Sequence, residues 1–388
     1  MTFEEIKEQD QSYILHTYGR VDAALVKGQN ARAWDVEGKE YIDFTAGIGV
    51  NALGYSDPEW AAAVADQAGK IQHLCNYYYS PENTALAQEL SEASGMAKAF
   101  FCNSGAEANE CAIKVARKYG EKRGAYKIVT LVNSFHGRTL TTLAATGQES
   151  FHQLFTPLTE GFEYAQAGAL GGVEKLLDGS VCAVMMEMVQ GEGGVIPMEE
   201  SFVKGLSQLC KEKDVLLLID EVQTGVGRTG TFYAYQGYGI QPDVVTTAKG
   251  IAGGLPMGIC LVSEKLGDIL TPGMNGSTFG GNPVACAGAR VVVRRVSDPA
   301  FLQSVKEKGA YLKEKLEAMP QVEYVRGRGM MIGVKVKGKD AHDVLVDCAK
   351  AGLLILTAKD LVRFLPPLTI TQKDMDDGLA IFQKVLEQ

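Results

Sequence analysis

The sequence predicts an α/β fold, with a mostly parallel central sheet in a large domain followed by a smaller α+β domain. Three observations carry this. Several short segments are continuous apolar runs, the pattern of strands covered on both faces. Helical stretches separate many of these runs, and that alternation places helices over a mostly parallel sheet. After about Gly276 the rhythm changes to charged helical segments and short strands.

In chain order, "ARAWDVEGKEYIDFTAG" (31–47) alternates around a turn at Glu37-Gly38 and reads as a hairpin. "SPENTALAQELSEASG" reads as a helix with Ser80 as N-cap and Pro81 in the first turn. The strands expected next are "KAFFCN", "YKIVTLVN", "VCAVMMEM", "VLLLIDEV", "DVVTTAK" and "GICLVS". A long helix from Asn282 follows, then short strands near "VRGRGMMIGVKV" and a final helix. The expected division is an N-terminal segment, 1–45, packing with the small domain; a large domain, 46–275; and the small domain, 276–388.

Charge and cysteine usage exclude several function classes. Asp and Glu number 47 against 38 Lys and Arg, a net charge of -9 that disfavours nucleic acid and anionic membrane surfaces. No run approaches the roughly 20 apolar residues of a membrane span. The opening "MTFEEIKEQD" is acidic and unlike a signal peptide. The 8 cysteines are scattered singly with no C-x-x-C pair, which argues against a zinc site or a disulfide framework. A cytoplasmic protein without a metal is expected.

In open α/β sheets ligands bind beyond the carboxyl ends of the strands, and this chain places its unusual polar residues there. "AFFCN" runs into "SGAEANE", where Ser104 and Glu107 have capping-box spacing. The amides of Ser104-Gly105-Ala106 then open a helix, which is either an ordinary capped terminus or a phosphate seat. Phe135 and His136 follow "YKIVTLV"; they suit a core, a surface loop, or stacking on a flat ring. Arg138 suits a bidentate carboxylate grip or a surface ion pair. Glu187 ends "VCAVMM", and Glu192 lies between glycines in "QGEGG", a pattern common to solvated turns. Asp220 directly follows five apolar residues and needs a partner: a cap, an ion pair or a protonated ring nitrogen. Lys249 ends an apolar strand before a glycine-rich turn, either as a solvated loop residue or as a reactive amine. Together these residues supply a phosphate seat, a ring stacker, an acid for a ring nitrogen and an amine for an aldehyde. That is the inventory pyridoxal 5'-phosphate requires.

The motifs "NSGAEANE", "FHGRT", "QGEGGV", "LLLIDEVQTGVGRTG", "AKGIAGGLPMG", "STFGGNP" and "RFLPPL" resemble those of the class III aminotransferases, within the fold-type-I pyridoxal phosphate enzymes. The resemblance spans nearly the whole chain. It implies that Lys249 carries the cofactor as a Schiff base, that Asp220 pairs with the pyridine nitrogen, and that Gln223 bonds near the ring hydroxyl. It further implies that Gly105 and Ala106 hold the phosphate after Ser104 opens the turn, and that Phe135 stacks on the ring. Thr278 would reach the phosphate of the neighbouring subunit, making the active unit a homodimer. Arg138 would bind the distal carboxylate of the substrate, and Glu192 and Arg363 would form a movable pair beside the reacting carbon. The implied activity passes the terminal amine of a donor, N2-acetylornithine foremost, to 2-oxoglutarate. Ornithine, succinylornithine and 4-aminobutyrate are rival donors, and a glutamate-1-semialdehyde-type aminomutase is a rival reaction. Two departures from the family pattern are Ala106, where threonine is common, and Met188, where proline is common.

Overall fold

A computed structural model describes residues 1–388. Its centre is a seven-stranded sheet in the order Lys98–Cys102, Gly258–Val262, Val244–Thr247, Leu216–Asp220, Val181–Glu187, Lys127–Leu131 and Phe162–Ala165. All six strands expected from the apolar runs form. The seventh, Phe162–Ala165, has one buried residue in four and so lacks the signature of a strand covered on both faces. Gly258–Val262 pairs antiparallel with both neighbours, and the remaining pairings are parallel. The carboxyl ends of six strands therefore share one edge with the start of Gly258–Val262.

The local signals act as their chemistry dictates. Ser80 accepts from the Asn83 amide and Pro81 opens the helix Pro81–Ser94. The hairpin forms as Arg32–Asp35 against Glu40–Asp43. Leu25–Gln29 adds a third strand, and Leu353–Leu354 pairs parallel on the far side. A further antiparallel sheet holds Val322–Arg328, Met331–Val336, Leu361–Phe364 and Leu356–Ala358.

Two principal cores result. One packs one face of the large sheet and includes Val184, Ile219, Val245 and Ile259, while the opposite face packs in a smaller cluster with Ala183, Leu218, Val244 and Cys260. The other joins Ala31, Ile42 and Phe44 to Val334, Phe364 and Phe382, so residues from the first 45 pack with the C-terminal region. The helix Pro283–Val296 lies beyond the division expected at 276, yet it buries Ala285, Ala289, Val292 and Val296 in the first core. The physical reason is its apolar face, which packs against the helices Pro58–Lys70 and Pro81–Ser94. Arg228 ties the two parts together: its buried guanidinium donates to the carbonyls of Met330 and Pro366 at 3.1 and 2.6 Å. No helix is long and apolar enough to cross a membrane.

Candidate active site

The strand ends enclose a cavity of about 410 Å³. Ser104, Gly105, Ala106, Phe135, Arg138, Asp220, Gln223 and Lys249 all line it, although they come from four separate segments of the chain.

The helix Gly105–Gly120 points its first turn at the cavity, with Ser104 as N-cap accepting from the Glu107 amide at 3.2 Å. The Glu107 carboxylate takes the Ser104 hydroxyl and the Asn103 amide, both at 3.0 Å. It thus reaches one residue behind the N-cap amide that a capping box would engage. The amides of Gly105 and Ala106 have no protein acceptor, which leaves positive dipole ends for an anion. Glycine is required at 258 on the neighbouring strand, because a Cβ there would lie 2.0 Å from the Ser104 carbonyl oxygen. That close approach sets the helix end against the sheet.

Asp220 is 4% exposed and has three partners within the chain. Its Oδ2 accepts from Asn109 Nδ2 and from His136 Nδ1, each at 2.8 Å, and its Oδ1 accepts from the Val222 amide at 3.0 Å. His136 therefore carries its proton on Nδ1, and its Nε2 is buried without a partner. Asn109 is held in turn by the Thr246 hydroxyl at 2.6 Å and donates to the His136 carbonyl at 2.7 Å. Neither Asn109 nor His136 was expected to position Asp220. The available signal was a polar residue on the apolar face of the helix, between Ala108 and Cys111.

Lys249 follows Val244–Thr247 and opens a short 3-10 turn. Its φ is 47°, a left-handed conformation that costs an L-residue about 1–2 kcal/mol. No carboxylate oxygen lies within 4.0 Å of its amine. Burial lowers its pKa, against the upward pull of Glu192 and Asp220. This is the environment of an amine able to react as the free base.

Glu192 Oε1 lies 2.6 Å from Arg363 Nη1, and the guanidinium is almost wholly buried. Burial pushes the Glu192 carboxyl up, but Arg363, joined by Lys249 and Gln223, outweighs it and the net shift is downward. Gln223 joins the pair, accepting from Arg363 at 3.2 Å and donating to Glu192 at 3.4 Å. The flanking glycines serve packing: a Cβ on Gly191 would meet the Gln223 side chain at 2.3 Å, and one on Gly193 the Asn133 carbonyl oxygen at 2.6 Å. Glu187 accepts from the amides of Phe135 and Gly191 at 3.0 and 3.3 Å. Burial, reinforced by Asp220 on the adjoining strand, raises its pKa well above the usual carboxylate range.

Arg138 is exposed to the cavity without a carboxylate partner, its guanidinium 4.1 Å above the Phe151 ring and 5.5 Å from Phe135. Thr278 lies on the surface, outside the cavity of its own chain.

Free helix amides at one end, a buried carboxylate and an aromatic ring in the middle, and an unpaired amine at a strand end fit pyridoxal 5'-phosphate in size and donor chemistry. The chain belongs to the class III aminotransferases: the family model "Aminotransferase class-III" matches residues 13–386. It is 47% identical to the acetylornithine aminotransferase of Haemophilus ducreyi, over 100% of both chains. It is 42% identical to the succinylornithine transaminase of Yersinia enterocolitica, over 98% of this chain and 96% of the other. The ornithine aminotransferase structure from Toxoplasma gondii superposes with a TM-score of 0.95 at 32% identity, covering 100% of this chain and 95% of that one.

Proposed function

We propose that this enzyme transfers the terminal amine of N2-acetylornithine to 2-oxoglutarate, giving N-acetylglutamate 5-semialdehyde and glutamate in arginine biosynthesis. The observation that carries the reading is the convergence of Lys249, Asp220 and the Gly105-Ala106 amides on one cavity whose mouth holds an unpaired Arg138. The donor assignment is supported by the full-length likeness to acetylornithine aminotransferases. Pyridoxal 5'-phosphate, when bound, supplies an aldehyde that condenses with amines and a ring that accepts electrons from the reacting carbon.

In this reading Ser104, Gly105 and Ala106 hold the phosphate, and Phe135 covers one ring face. Asp220 keeps the ring nitrogen protonated, and Gln223 bonds near the ring hydroxyl. Lys249 holds the cofactor at rest and, once displaced by a donor amine, moves a proton from the substrate carbon. Arg138 grips the carboxylate far from the reacting carbon. Thr278 completes the phosphate site of a second copy of the chain. The support for that homodimer is the exposed aromatic surface near it: Phe279 is 61% exposed, Tyr77 96% and Tyr79 101%. All cysteines are free, in keeping with a cytoplasmic enzyme.

The test is a donor panel of acetylornithine, succinylornithine, ornithine and 4-aminobutyrate, each with 2-oxoglutarate, with glutamate formation compared and light scattering at assay concentration. Acetylornithine is expected to lead in kcat/KM by at least about tenfold, or ~1.4 kcal/mol in transition-state binding. A preference for ornithine or 4-aminobutyrate overturns the donor assignment. An active monomer overturns the role of Thr278. Succinylornithine is the second reading, favoured by the likeness to the Yersinia transaminase.

The Glu192–Arg363 pair makes a signed prediction. Glutamate reacts at a carbon bearing a carboxylate and needs a cation beside it, whereas acetylornithine reacts at a carbon with none. A buried guanidinium without a partner is costly, so Glu192 neutralises Arg363 for one substrate and swings away for the other. Glu192→Ala is expected to shift the ratio of single-turnover rates toward glutamate by about tenfold or more. Equal effects on both donors, or a selective loss with glutamate, remove the switch.

A further inference from the structure

A second cavity, of about 450 Å³, opens between the two parts of the chain, away from the catalytic groups. One wall is the loop carrying Thr229. The others are the helix Pro299–Glu317, through Lys306 and Lys313, and the strand Val322–Arg328, through Arg326 and Arg328. The sequence aims these cations inward. Lys306 and Lys313 lie seven apart, two helical turns, and so share a face. Gly309 lies between them, where a Cβ would meet the Gly329 carbonyl oxygen at 2.3 Å, so helix and strand close together at this point.

Four cations thus line one cleft of a protein whose net charge is -9. Lys306, Arg326 and Arg328 have no carboxylate oxygen within 4.0 Å, and Lys313 meets only Glu317, at 3.7 Å along its own helix. The two guanidiniums are fixed by neutral groups. Arg326 Nε donates to the Gly194 carbonyl at 2.7 Å; Arg328 lies 4.3 Å from the Tyr238 ring centroid and donates to the Gly237 carbonyl at 3.3 Å. Thr229 supplies the independent observation: it lines the cleft, is 4% exposed, and its hydroxyl has no partner. A buried hydroxyl without a partner costs about 1–3 kcal/mol; this one lies just beneath the cleft surface, so a bound acceptor engages it through a small shift of the Thr229 loop.

We propose that this cleft binds a phosphate group, free or as the end of a phosphorylated metabolite. Planar guanidiniums held in place, flexible ammoniums and a hydroxyl donor form a set of donors suited to a compact, multiply charged oxyanion. The site is distinct from the phosphate seat at Gly105-Ala106. Arg326 links it to the loop of Glu192, because its Nε donates to the carbonyl of Gly194, two residues after Glu192.

The test is calorimetric titration of the cofactor-loaded enzyme with pyrophosphate and with inorganic phosphate, at ionic strength held constant with chloride. Saturable binding is expected, with one site per chain, for pyrophosphate and more weakly for phosphate. The exposed double variant K306E/K313E is expected to weaken it at least tenfold while keeping the parent thermal midpoint and turnover. Thr229→Val, close to isosteric, is expected to weaken it severalfold. No saturable binding of either probe up to about 10 mM, or binding unchanged in the double variant, overturns the proposal. Saturable pyrophosphate binding without any for inorganic phosphate assigns the site to a phosphorylated metabolite.

Discussion

Lys249→Ala is expected to lower turnover by at least about 10⁴-fold, since it removes both the covalent attachment of the cofactor and the proton carrier. No other lysine lines the catalytic cavity, so no neighbouring amine replaces it. Burial lowers the Lys249 pKa, which favours the free base. The substitution is a clean test for a backbone reason. Residue 249 sits at a φ of 47°, and alanine, which keeps a Cβ, carries about the same strain as lysine, whereas glycine would relieve it. Steady-state rates should be measured beside borohydride reduction and peptide mass analysis. In the parent the cofactor is expected on the peptide containing Lys249; in the variant it is expected nowhere. Near-normal turnover of the variant would falsify the assignment of Lys249 as the reactive amine.

Asp220→Asn is expected to slow the half-reaction with donor by about 10²–10³-fold, roughly 3–4 kcal/mol, the scale for removing one preorganised electrostatic partner from a buried site. Asparagine keeps the shape but not the pattern of acceptors. Oδ2 accepts from Asn109 and His136 while Oδ1 accepts from the Val222 amide, so an amide group in either orientation turns a donor toward a donor. Thermal midpoint should therefore be followed with rate. A loss below about tenfold in the half-reaction, with a lowered midpoint, identifies Asp220 as a structural hub for His136 and Asn109.

The elements legible in the sequence were those whose physics is local. Buried parallel strands announce themselves as apolar runs, as in Leu216–Asp220, where all five residues are buried. Ser80, Ser104 and Asn282 each mark a helix start because an N-cap is a short-range hydrogen bond. Lys249 and Asp220 stood out because a charge at the end of an apolar strand demands an explanation. What escaped detection depends on segments distant in sequence. The Asp220–His136 contact spans 84 positions and the Asp220–Asn109 contact 111. Each of those side chains, read alone, suits a core or a loop equally well. The glycines around Glu192 suggested a solvated turn, yet they are set by the Gln223 side chain and the Asn133 carbonyl. Phe162–Ala165 was missed because an edge strand buries too little to show a pattern.

The parallel pairing of Glu40–Asp43 with Leu353–Leu354 has a consequence for how the chain is made. During synthesis at about 5–20 residues per second, the N-terminal strands wait on the order of 15–60 s for their last partner. The large sheet, all of whose strands lie between 98 and 262, is complete well before then. Arg32, whose guanidinium pairs with Asp374 and Asp377 at 2.7 Å, has only Glu40 as a partner over the same interval. A nascent chain stalled before residue 353 therefore presents Ile42 and Phe44 without their C-terminal cover. Such a chain leaves apolar surface open to aggregation, and loss of either end of the protein disrupts the same core.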